Sequence, residues 1–413
     1  MRDTPEIRFK GFTGAWVQRK LGEVAEFSKG NGYSKSDLTD MGTPIILYGR
    51  LYTNYETIIE DVDTFVNIKG KPTISCGGEV IIPSSGETAG DISRASVVSK
   101  SGVILGGDLN IVTPDSTINS TFLALTISSG NSQRELSKRA QGKSVVHINN
   151  SDLKEVSFKL TTFLEQTAIG NFFHTLDKTV TLLKRKLDGL KQLKKAYLQQ
   201  MFPQAGERVP KVRFAGFTGD WEVRKLGEVI EKLKSYSLSR EAETNEVTGY
   251  RYIHYGDIHK QVADIVVADE QLPHIKGGNY IPIEKGDLVL ADASEDYVGI
   301  AEPCIILHTP KDKIIAGLHT IAIRPVKSNP LYLYFLFHTD EFRKFGKYVG
   351  TGLKVFGITY NNLAQYAMVL PSFEEQTAIG NFFRNLDEQI TAQQIKLDNL
   401  KQLKSAYLQK MFV

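Results

Sequence analysis

The chain has 413 residues, of which 41% are hydrophobic and 23% are charged, and its net charge at pH 7 is +3. This length accommodates two or three domains with hydrophobic cores, and the composition is that of an ordinary globular protein. A mildly basic chain permits nucleic-acid binding without requiring it.

Targeting and redox features are sparse. No run of about 18 apolar residues predicts a transmembrane helix, and the first ten residues, MRDTPEIRFK, lack the apolar stretch of a secretory signal. The two cysteines, Cys76 and Cys304, lie far apart in the sequence. Together these features predict a cytoplasmic protein without a disulfide framework or a cysteine zinc site.

The chain opens with a segment that returns in its middle. PEIRFKGFTGAWVQRKLGEV at residues 5–24 and PKVRFAGFTGDWEVRKLGEV at residues 210–229 are identical at 14 of 20 positions. The bodies that follow, residues 25–141 and 230–351, share little sequence. The repeat therefore indicates a tandem duplication whose two bodies have diverged.

Both bodies have the pattern of mixed α and β structure. Short apolar runs such as GGEVIIPSSGETAG and KGDLVLADAS are broken by Gly, Ser and Asp, which predicts strands joined by turns. One helix is predicted over residues 120–139 and another over residues 330–348.

A second repeat follows each body. EQTAIGNFF occurs at residues 165–173 and again at 375–383, and the longer segments 165–202 and 375–412 are identical at 26 of 38 positions without a gap. Apolar residues recur at steps of four and three, and this heptad pattern predicts two long helices that pack on each other. The predicted contact positions are Leu176, Val180, Leu183, Leu187, Leu190, Lys194 and Tyr197 in the first helix and Leu386, Ile390, Gln393, Leu397, Leu400, Lys404 and Tyr407 in the second.

Sequence motifs for catalysis are absent. QGKS at residues 141–144 lacks the earlier glycine of a phosphate-binding loop, and GNG at residues 30–32 lacks the third glycine of a dinucleotide site. His254 and His259, with Asp257 between them, leave a metal site as a minor alternative. The chain is therefore predicted to bind a partner rather than to catalyse a reaction.

Two different bodies, each followed by a nearly identical helix that begins with EQ, resemble the specificity subunit of a type I restriction–modification enzyme over essentially the whole chain. The resemblance rests on the segments FTGAWVQRKLGEV, FTGDWEVRKLGEV, LEQTAIGNFF, EEQTAIGNFF, LKQLKKAYLQQMF and LKQLKSAYLQKMF. It implies an α+β fold and a pseudo-two-fold tandem duplication. In that plan two mixed α/β target recognition domains, at residues 1–163 and 204–373, are separated by two long antiparallel coiled-coil spacer helices at residues 164–203 and 374–413. The second helix should then end near the start of the chain.

The resemblance also implies a function. Each target recognition domain would read one half of a bipartite site on double-stranded DNA, and the repeated helices would set the spacing and dock two methyltransferase (modification) subunits. The chain itself would be non-catalytic and would hold no cofactor. S-adenosylmethionine, ATP and Mg²⁺ are implied on the partner subunits, which include restriction (motor and nuclease) subunits where the host has them. The alternative is a duplicated protein-binding scaffold without DNA contact, and a salt-dependent gel shift separates the two.

Candidate contact residues follow from the same reasoning. Polar, basic and aromatic residues in glycine-rich loops are candidates for DNA contact, and two such loops precede the helices, at residues 139–149 and 350–362. The predicted DNA-binding residues are Lys29, Tyr33, Lys35, Arg50, Lys143, Ser144 and His147 in the first body and Lys234, Tyr236, Arg240, His254, Lys354 and Tyr360 in the second. The predicted partner-docking residues share one wide helix face and are Ile169, Phe172, Phe173, Ile379, Phe382 and Phe383. Each of these residue types is also common on a surface or in a core without such a role.

Overall fold

The structure is a computed structural model that describes residues 4–140, 142, 145–296, 299–352 and 355–412. It contains two compact units. Unit 1 consists of Met1–Arg185 and Gln394–Val413, and unit 2 consists of Lys186–Gln393. Each unit therefore contains one body and part of each repeated helix.

The body of unit 1 is built from short strands and short helices. Its strands are β1 (Val17–Lys20), β2 (Ala25–Lys29), β3 (Leu38–Thr39), β4 (Thr43–Ile46), β5 (Ile58–Ile59), β6 (Phe65–Val66), β7 (Val80–Pro83), β8 (Ser85–Gly86), β9 (Ser96–Val98), β10 (Ile104–Leu105), β11 (Leu109–Pro114), β12 (Val146–His147) and β13 (Ser157–Leu160). Its helices are α1 (Arg50–Thr53), α2 (Ser120–Ile127), α3 (Gly130–Arg139) and α4 (Asn150–Lys154), with 3-10 turns at Leu21–Glu23 and Lys35–Asp37.

A five-stranded sheet in the order β2-β11-β7-β9-β5 lies at the centre of unit 1. Its neighbouring strands are antiparallel except β5 and β9, which are parallel. A second sheet has the order β10-β4-β6-β3, while β1 pairs with β13 and β8 pairs with β12. The VIIP sequence of β7 is buried along its whole length. Val80 and Ile82 of β7 belong to the cluster that includes Leu123 and Ile127 of α2, and Ile81 belongs to another cluster.

The body of unit 2 has the same kinds of element. Its strands are β14 (Glu222–Lys225), β15 (Ile230–Lys232), β16 (Tyr250–Ile253), β17 (Ile265–Val266), β18 (Leu288–Ala291), β19 (Ala293–Ser294), β20 (Pro303–Ile306), β21 (Lys313–Ala316), β22 (Thr320–Pro325), β23 (Phe356–Gly357) and β24 (Ala367–Leu370). Its short helices are α6 (Tyr255–His259), α7 (Pro330–Leu336), α8 (Asp340–Val349) and α9 (Tyr360–Ala364), with 3-10 turns at Leu226–Glu228, Arg240–Ala242 and Asp269–Gln271.

The two bodies share a topology although their sequences differ. The central sheet of unit 2 has the order β15-β22-β18-β20-β17, which repeats that of unit 1 strand for strand. The outer pairs β14-β24, β16-β21 and β19-β23 correspond to β1-β13, β4-β10 and β8-β12. This repetition of a mixed α/β unit confirms the predicted fold class and the tandem duplication.

The two helices predicted within the bodies are each divided in two, so the prediction of single helices was wrong. The helix predicted over residues 120–139 is α2 followed by α3, because Ser129 has an extended backbone (φ −147°, ψ 169°) that ends the helical hydrogen-bonding pattern. The helix predicted over residues 330–348 is α7 followed by α8. Thr339 separates them and caps α8 by accepting a hydrogen bond from the Phe342 backbone N–H.

The repeated segments form the two long helices, α5 (Phe163–Gln200) and α10 (Phe373–Met411). All of the predicted heptad positions on both helices are buried or half-buried. Leu187 and Leu397 are both 3% exposed. The period of the apolar residues therefore located the packed face of each helix correctly.

The helices run antiparallel within each unit. In unit 1, Phe172 of α5 packs on Tyr407 of α10 with ring centroids 5.2 Å apart, and one turn further along α5 Asp177 pairs with Lys404. The residue numbers on α10 fall as those on α5 rise, so the two helices run in opposite directions. In unit 2 the equivalent contacts are Tyr197 with Phe382, at 5.1 Å between centroids, and Lys194 with Asp387 at 2.5 Å.

The repeated EQ dipeptide joins three parts of unit 1. Glu165 receives two hydrogen bonds from the guanidinium of Arg8 in the leading segment. Gln166 accepts a hydrogen bond from the backbone N–H of Asn119, the residue that caps α2, and donates to the carbonyl of Thr161. These contacts hold the start of α5 against both the leading segment and the body.

Unit 2 repeats this arrangement. Arg213 binds Glu375 through two hydrogen bonds, and Gln376 accepts from Asn329, which caps α7, and donates to Pro371. The two sequence repeats, at the start of each half and at its end, are therefore docking partners of each other inside each unit.

The end of α10 lies beside the leading segment, as the duplicated plan predicts. The backbone N–H of Ile7 donates to the carbonyl of Lys410 at 3.0 Å, and the Lys410 ammonium pairs with Glu6 at 2.7 Å. Among the described residues, no helix has the length and apolar character that crossing a lipid bilayer requires.

Candidate nucleic-acid interface

In each unit two adjacent parallel strands end at the same side of a sheet. These are β4 and β10 in unit 1 and β16 and β21 in unit 2. The chain leaves them through residues 47–52 and 106–108 in unit 1, and through residues 254–259 and 317–319 in unit 2. We call these residues the carboxyl edge of each unit. The carboxyl ends of parallel strands are where loops from different parts of a chain converge on ligands in α/β proteins.

The two carboxyl edges have the same backbone hydrogen bond. Gly106 donates to the Ile46 carbonyl in unit 1, and Gly317 donates to the Ile253 carbonyl in unit 2, each over 2.9 Å. At Gly317 a Cβ would lie 2.9 Å from the backbone oxygen of Ile253, so the close approach of the two segments in unit 2 requires glycine. At Gly106 a Cβ would lie 2.5 Å from a Leu47 methyl group, which would have to move.

A pair of rings lies at the same place in each carboxyl edge. In unit 1, Tyr48 and Tyr52 are in edge-to-face contact, with centroids 6.0 Å apart and planes at 77°. In unit 2, Tyr255 and His259 make the same contact at 5.8 Å and 85°. The chain positions differ by 207 in both cases, so the first ring is common to the units and the second changes from phenol to imidazole.

The second ring of each pair is anchored to the neighbouring short strand. The Tyr52 hydroxyl donates to the carbonyl of Ser85 in β8, and His259 Nε2 lies 2.8 Å from the carbonyl of Ala293 in β19. A carbonyl only accepts, so His259 carries its proton on Nε2. Burial, followed by the charge of Asp91, raises the pKa of Tyr52 and keeps its hydroxyl a donor.

One exposed residue in each carboxyl edge has a left-handed backbone. Asp108 has φ of +59° and His319 has φ of +56°. Their carbonyls accept equivalent hydrogen bonds, from Ser84 N–H at 2.8 Å and from Asp292 N–H at 3.0 Å. The same unusual conformation therefore recurs at the same place with an acid in one unit and an imidazole in the other.

The His319 ring is further held by its neighbours. Its Nδ1 lies 3.2 Å from Asp292 Oδ1, and its ring packs edge-on against Tyr255 with centroids 5.3 Å apart. Burial raises the pKa of the Asp292 carboxyl, and the nearby His319 partly offsets that effect. Asp292 is therefore a hydrogen-bond partner that orients the imidazole.

The predicted DNA-binding residues of unit 1 are spread over several environments. Lys29, Lys35 and His147 are exposed, and Lys29 Nζ lies 3.4 Å from the Asn149 side chain in the loop that precedes α4. Tyr33 is buried, with its hydroxyl hydrogen-bonded to the backbone of Lys69. Lys143 and Ser144 lie outside the described residues.

Arg50 lies in the carboxyl edge of unit 1 but is engaged within it. Its guanidinium pairs with Glu56 and Asp63, each at 2.8 Å, and donates to the carbonyl of Asp61. The side chain is only 12% exposed. The structure thus gives Arg50 a structural role, and its contact with DNA stays a prediction.

In unit 2 the structure brings two of the predicted residues together around one carboxylate. Arg240 pairs with Asp257 at 2.8 Å, and Asp257 also accepts from the backbone N–H of His254. The His254 ring caps α6 by accepting from Gly256 N–H, and burial, followed by the charge of Arg240, lowers the pKa of His254. This cluster fixes the start of the carboxyl edge.

The other predicted residues of unit 2 lie elsewhere. Lys234 is exposed, and its ammonium lies 4.9 Å from the ring centroid of Tyr236. The ammonium of Lys232 lies 5.0 Å from the ring centroid of Tyr360. Lys354 lies outside the described residues. The DNA-binding role of these residues stays a prediction.

The predicted partner-docking residues pack inside the units. Ile169 and Phe173 join Trp16 and Phe122 in the core of unit 1, and Ile379, Phe382 and Phe383 pack in the core of unit 2. Phe172 packs on Phe9 of the leading segment. This packing accounts for the repeated apolar residues without a partner. Partner docking through them stays a prediction.

Sequence reasoning missed most of the side chains of the carboxyl edges. It selected the charged Arg50 and the buried His254 but omitted their neighbours Tyr48, Tyr52 and Tyr255. The Tyr-Gly dipeptide repeated 207 positions apart was the available signal. Within the described part of the chain, no group of three or more His, Cys, Asp or Glu side chains is arranged to hold a metal ion.

Two units of one topology, each with its own set of side chains at the carboxyl edge, define a tandemly duplicated mixed α/β protein. The family model for the type I restriction modification DNA specificity domain matches the chain twice, at residues 14–192 and 218–402. The chain therefore belongs to this family, with two specificity domains in tandem, and is a specificity subunit as its sequence predicted.

Individual relatives agree with the family match. The chain is 20% identical over 349 residues to the type I restriction enzyme MjaVIII specificity subunit of Methanocaldococcus jannaschii, which covers 83% of this chain and 79% of that protein. The crystal structure of the S subunit of a type I restriction-modification system from M. genitalium has a TM-score of 0.61 at 15% identity and covers 99% of both chains. A chain from a structural study of complex assembly and conformational transition of the type I R-M system has a TM-score of 0.52 at 17% identity and covers 95% of this chain and 96% of that one. At these identities the solved structures establish the fold.

Proposed function

We propose that the chain reads a bipartite DNA site, with one half-site for each unit, and docks two methyltransferase subunits of a type I restriction–modification complex. In this role it supplies sequence recognition and carries out no chemistry. S-adenosylmethionine, ATP and Mg²⁺ belong to the partner subunits, which transfer the methyl group or, where a restriction subunit is present, move along and cleave DNA.

The main support for two different half-sites is that the two carboxyl edges have the same backbone structure but different side chains. The carboxyl edges have equivalent strands, the same glycine hydrogen bond and a left-handed backbone at the same position. Their side chains differ, because unit 1 has Asp108 and Tyr52 where unit 2 has His319 and His259. A protein that bound one ligand twice would have no need of this difference. Two different DNA half-sites require it, because bases are distinguished by their hydrogen-bonding groups.

The proposed docking of methyltransferase subunits has support at the starts of the long helices. Phe163 and Phe373 occupy equivalent positions 210 residues apart and are 48% and 55% exposed. Two equivalent exposed phenylalanines suit two copies of one partner, and aromatic residues are enriched at such interfaces. The buried Phe173 and Phe383, ten positions further along each helix, pack in the cores and fix the position of each helix start.

The decisive experiment is to purify the chain with a type I methyltransferase subunit from the same genome and to map methylated sites on DNA by sequencing. The expected result is one bipartite motif with a fixed gap. A complex that forms but methylates no defined motif contradicts DNA recognition by this chain. In a parallel gel shift, the complex should bind duplex DNA with an affinity that falls as salt rises, whereas the alternative scaffold would give no shift.

Docking is tested separately with Phe163→Asp and Phe373→Asp. Each single variant should bind one methyltransferase subunit, and the double variant none, as measured by the mass of the complex in light scattering. Lys35→Asp, an exposed change in the body of unit 1, is the matched control and should leave the mass unchanged. Full assembly by the double variant would contradict docking through Phe163 and Phe373.

A further inference from the structure

We propose that the carboxyl edges are the base-reading surfaces, and that Asp108 in unit 1 and His319 in unit 2 are specificity-determining residues that contact base edges. This inference rests on the proposed function and adds to it the residues that distinguish the half-sites. The equivalent residues Tyr52 and His259 are positioning residues, because their polar atoms are already bound to β8 and β19.

The backbone at these two positions is the first observation. Asp108 and His319 both have positive φ, which glycine adopts freely but which costs energy for residues that carry a Cβ. Glycine would satisfy the turn in each unit. Both units nevertheless carry a polar side chain there, of a type that adopts this region more readily than most, so the same turn presents two different side chains at the same place.

The second observation is that the reading atoms are accessible. Asp108 is exposed, and among the described residues no side chain forms a hydrogen bond or ion pair with its carboxylate. His319 is exposed with 49% of its side chain accessible, and Asp292 engages Nδ1, so Nε2 is the ring atom left to meet a ligand. Both residues therefore present a polar atom on a rigid turn, as base readout requires.

The chemistry of each residue restricts the base it can accept. An ionised carboxylate only accepts hydrogen bonds, so Asp108 requires a base with an amino group in the major groove, which is cytosine or adenine. His319 offers only Nε2, which donates a hydrogen bond when it carries a proton and accepts one when it does not. Asp292 fixes the orientation of the ring through Nδ1. The two units are therefore expected to prefer different bases at the equivalent position of their half-sites.

The common ring has a different role. Tyr48 and Tyr255 are the same residue at the same place, and Tyr48 is 37% exposed. A group that is identical in both units cannot distinguish two half-sites. Contact with a phosphate, which is the same at every sequence, suits a tyrosine hydroxyl at this place.

The test is to substitute Asp108→Asn and His319→Asn in the full chain, assemble each variant with the methyltransferase subunits and map the methylated motif. Asparagine tolerates positive φ, so the turn is preserved, while its amide has both a donor and an acceptor. Each variant should change or relax one base position in one half-site by about 10-fold or more in preference. The other half-site should be unchanged, because the other unit is intact.

Matched controls are Asp40→Asn in unit 1 and Glu246→Gln in unit 2, which are exposed acids outside the carboxyl edges. They should leave the motif as in the wild type. Binding to duplexes with single base changes, measured on variants with a wild-type melting temperature, gives a second readout that does not require methylation.

The outcomes are distinguishable. A wild-type complex that methylates no motif overturns the proposed function and this inference with it. A wild-type motif that persists in both asparagine variants, with unchanged preference in the binding assay, overturns the assignment of the carboxyl edge alone. A change in both half-sites from one substitution also overturns it.

Discussion

Arg8 holds Glu165 through two parallel hydrogen bonds, of 2.6 and 2.7 Å, and Arg213 holds Glu375 in the same way at 2.7 and 2.8 Å. Both glutamates are almost completely buried, with side chains 0% and 2% exposed. The hydrogen bonds that each arginine donates to its glutamate are the main cause that raises the pKa of Arg8 and of Arg213. A buried carboxylate in this arrangement depends on its arginine.

Removal of one arginine should therefore destabilise its own unit. Arg8→Met leaves Glu165 buried without a counter-charge, and the free energy of unfolding should fall by about 3–5 kcal/mol. The double variant Arg8→Met/Glu165→Met should recover most of the loss because no charge then remains in the site. Trp16 in unit 1 and Trp221 in unit 2 are both buried, so urea unfolding followed in Trp221→Phe and Trp16→Phe backgrounds reports each unit separately.

The matched control is Arg224→Met, which removes a 51% exposed arginine paired with Glu222. Exposed pairs contribute about 0–1 kcal/mol, so little change is expected. An effect of Arg8→Met as small as that of the control would mean that the buried pair is not needed for stability.

Glycine in the EQTAIGNFF repeat should be intolerant of alanine. A Cβ at Gly380 would lie 2.8 Å from Leu331 Cβ and 3.1 Å from the Tyr332 backbone nitrogen, so Gly380→Ala should lower the free energy of unfolding by about 1–3 kcal/mol. Gly189 of α5 has open space around its Cβ position. Gly189→Ala should instead stabilise the protein by about 0.5–1 kcal/mol through helix propensity. Thermal unfolding of both variants tests the contrast, and equal effects would refute it.

The stability of the protein should fall as the pH drops below the ordinary pKa of histidine. His254 has a lowered pKa in the folded state because of burial and then Arg240, so below about pH 6.5 the unfolded chain binds a proton that the folded chain resists. Stability from this group is complete above that pH and is lost as the pH falls, with a slope of at most about 1.4 kcal/mol per pH unit. His254→Asn keeps a helix-capping side chain and should remove that part of the slope. Urea unfolding at pH 5, 6 and 7 measures it, and an unchanged slope would contradict the assignment.

The length of the long helices should set the gap between the half-sites if the proposed function holds. Four residues inserted near residues 184–186 of α5, with four near residues 394–396 of α10, lengthen each helix by about 6 Å. The gap should then grow by roughly one or two base pairs, at about 3.4 Å each, while the half-site sequences remain the same. Sequencing of the methylated motif before and after the insertion measures this.

An insertion in one helix alone is the control, and it should abolish assembly or methylation because the heptad positions no longer match. Methylation that persists with an unchanged gap in the double insertion would show that the helices do not determine the spacing.

The long helices could be predicted because their signal is local and repeated. The heptad positions need only a period of 3.5, and two copies of the same segment supply it twice. The break between α2 and α3 was not predicted, although the Ser129-Gly130 dipeptide is of a kind that marks turns and the extended backbone of Ser129 separates the two helices. The common topology of the bodies was hidden because strands of two to six residues carry little sequence pattern.

The candidate site was predicted only in part, because burial comes from tertiary contacts. Arg50 looks like a DNA contact in the sequence, but Asp63, thirteen positions later, binds it. His254 is an N-cap that Arg240 and Asp257 enclose. Asp108 lies within a turn, and its own left-handed backbone is not visible in the sequence, so no pattern marked it.

The exchange of helix ends between the two halves of the sequence has a consequence for shorter chains. In unit 1, Tyr407 contacts Phe172 and Lys404 contacts Asp177. Tyr407 and Lys404 are the repeats, 210 positions later, of Tyr197 and Lys194. A chain truncated after residue 203 thus carries both sides of this contact, yet a straight helix cannot fold back to make it. We expect two such chains to supply each other's missing helix in antiparallel orientation, which would form a symmetric homodimer. On the proposed function, that dimer would read the same half-site twice, once on each strand, and would convert an asymmetric DNA site into a palindromic one.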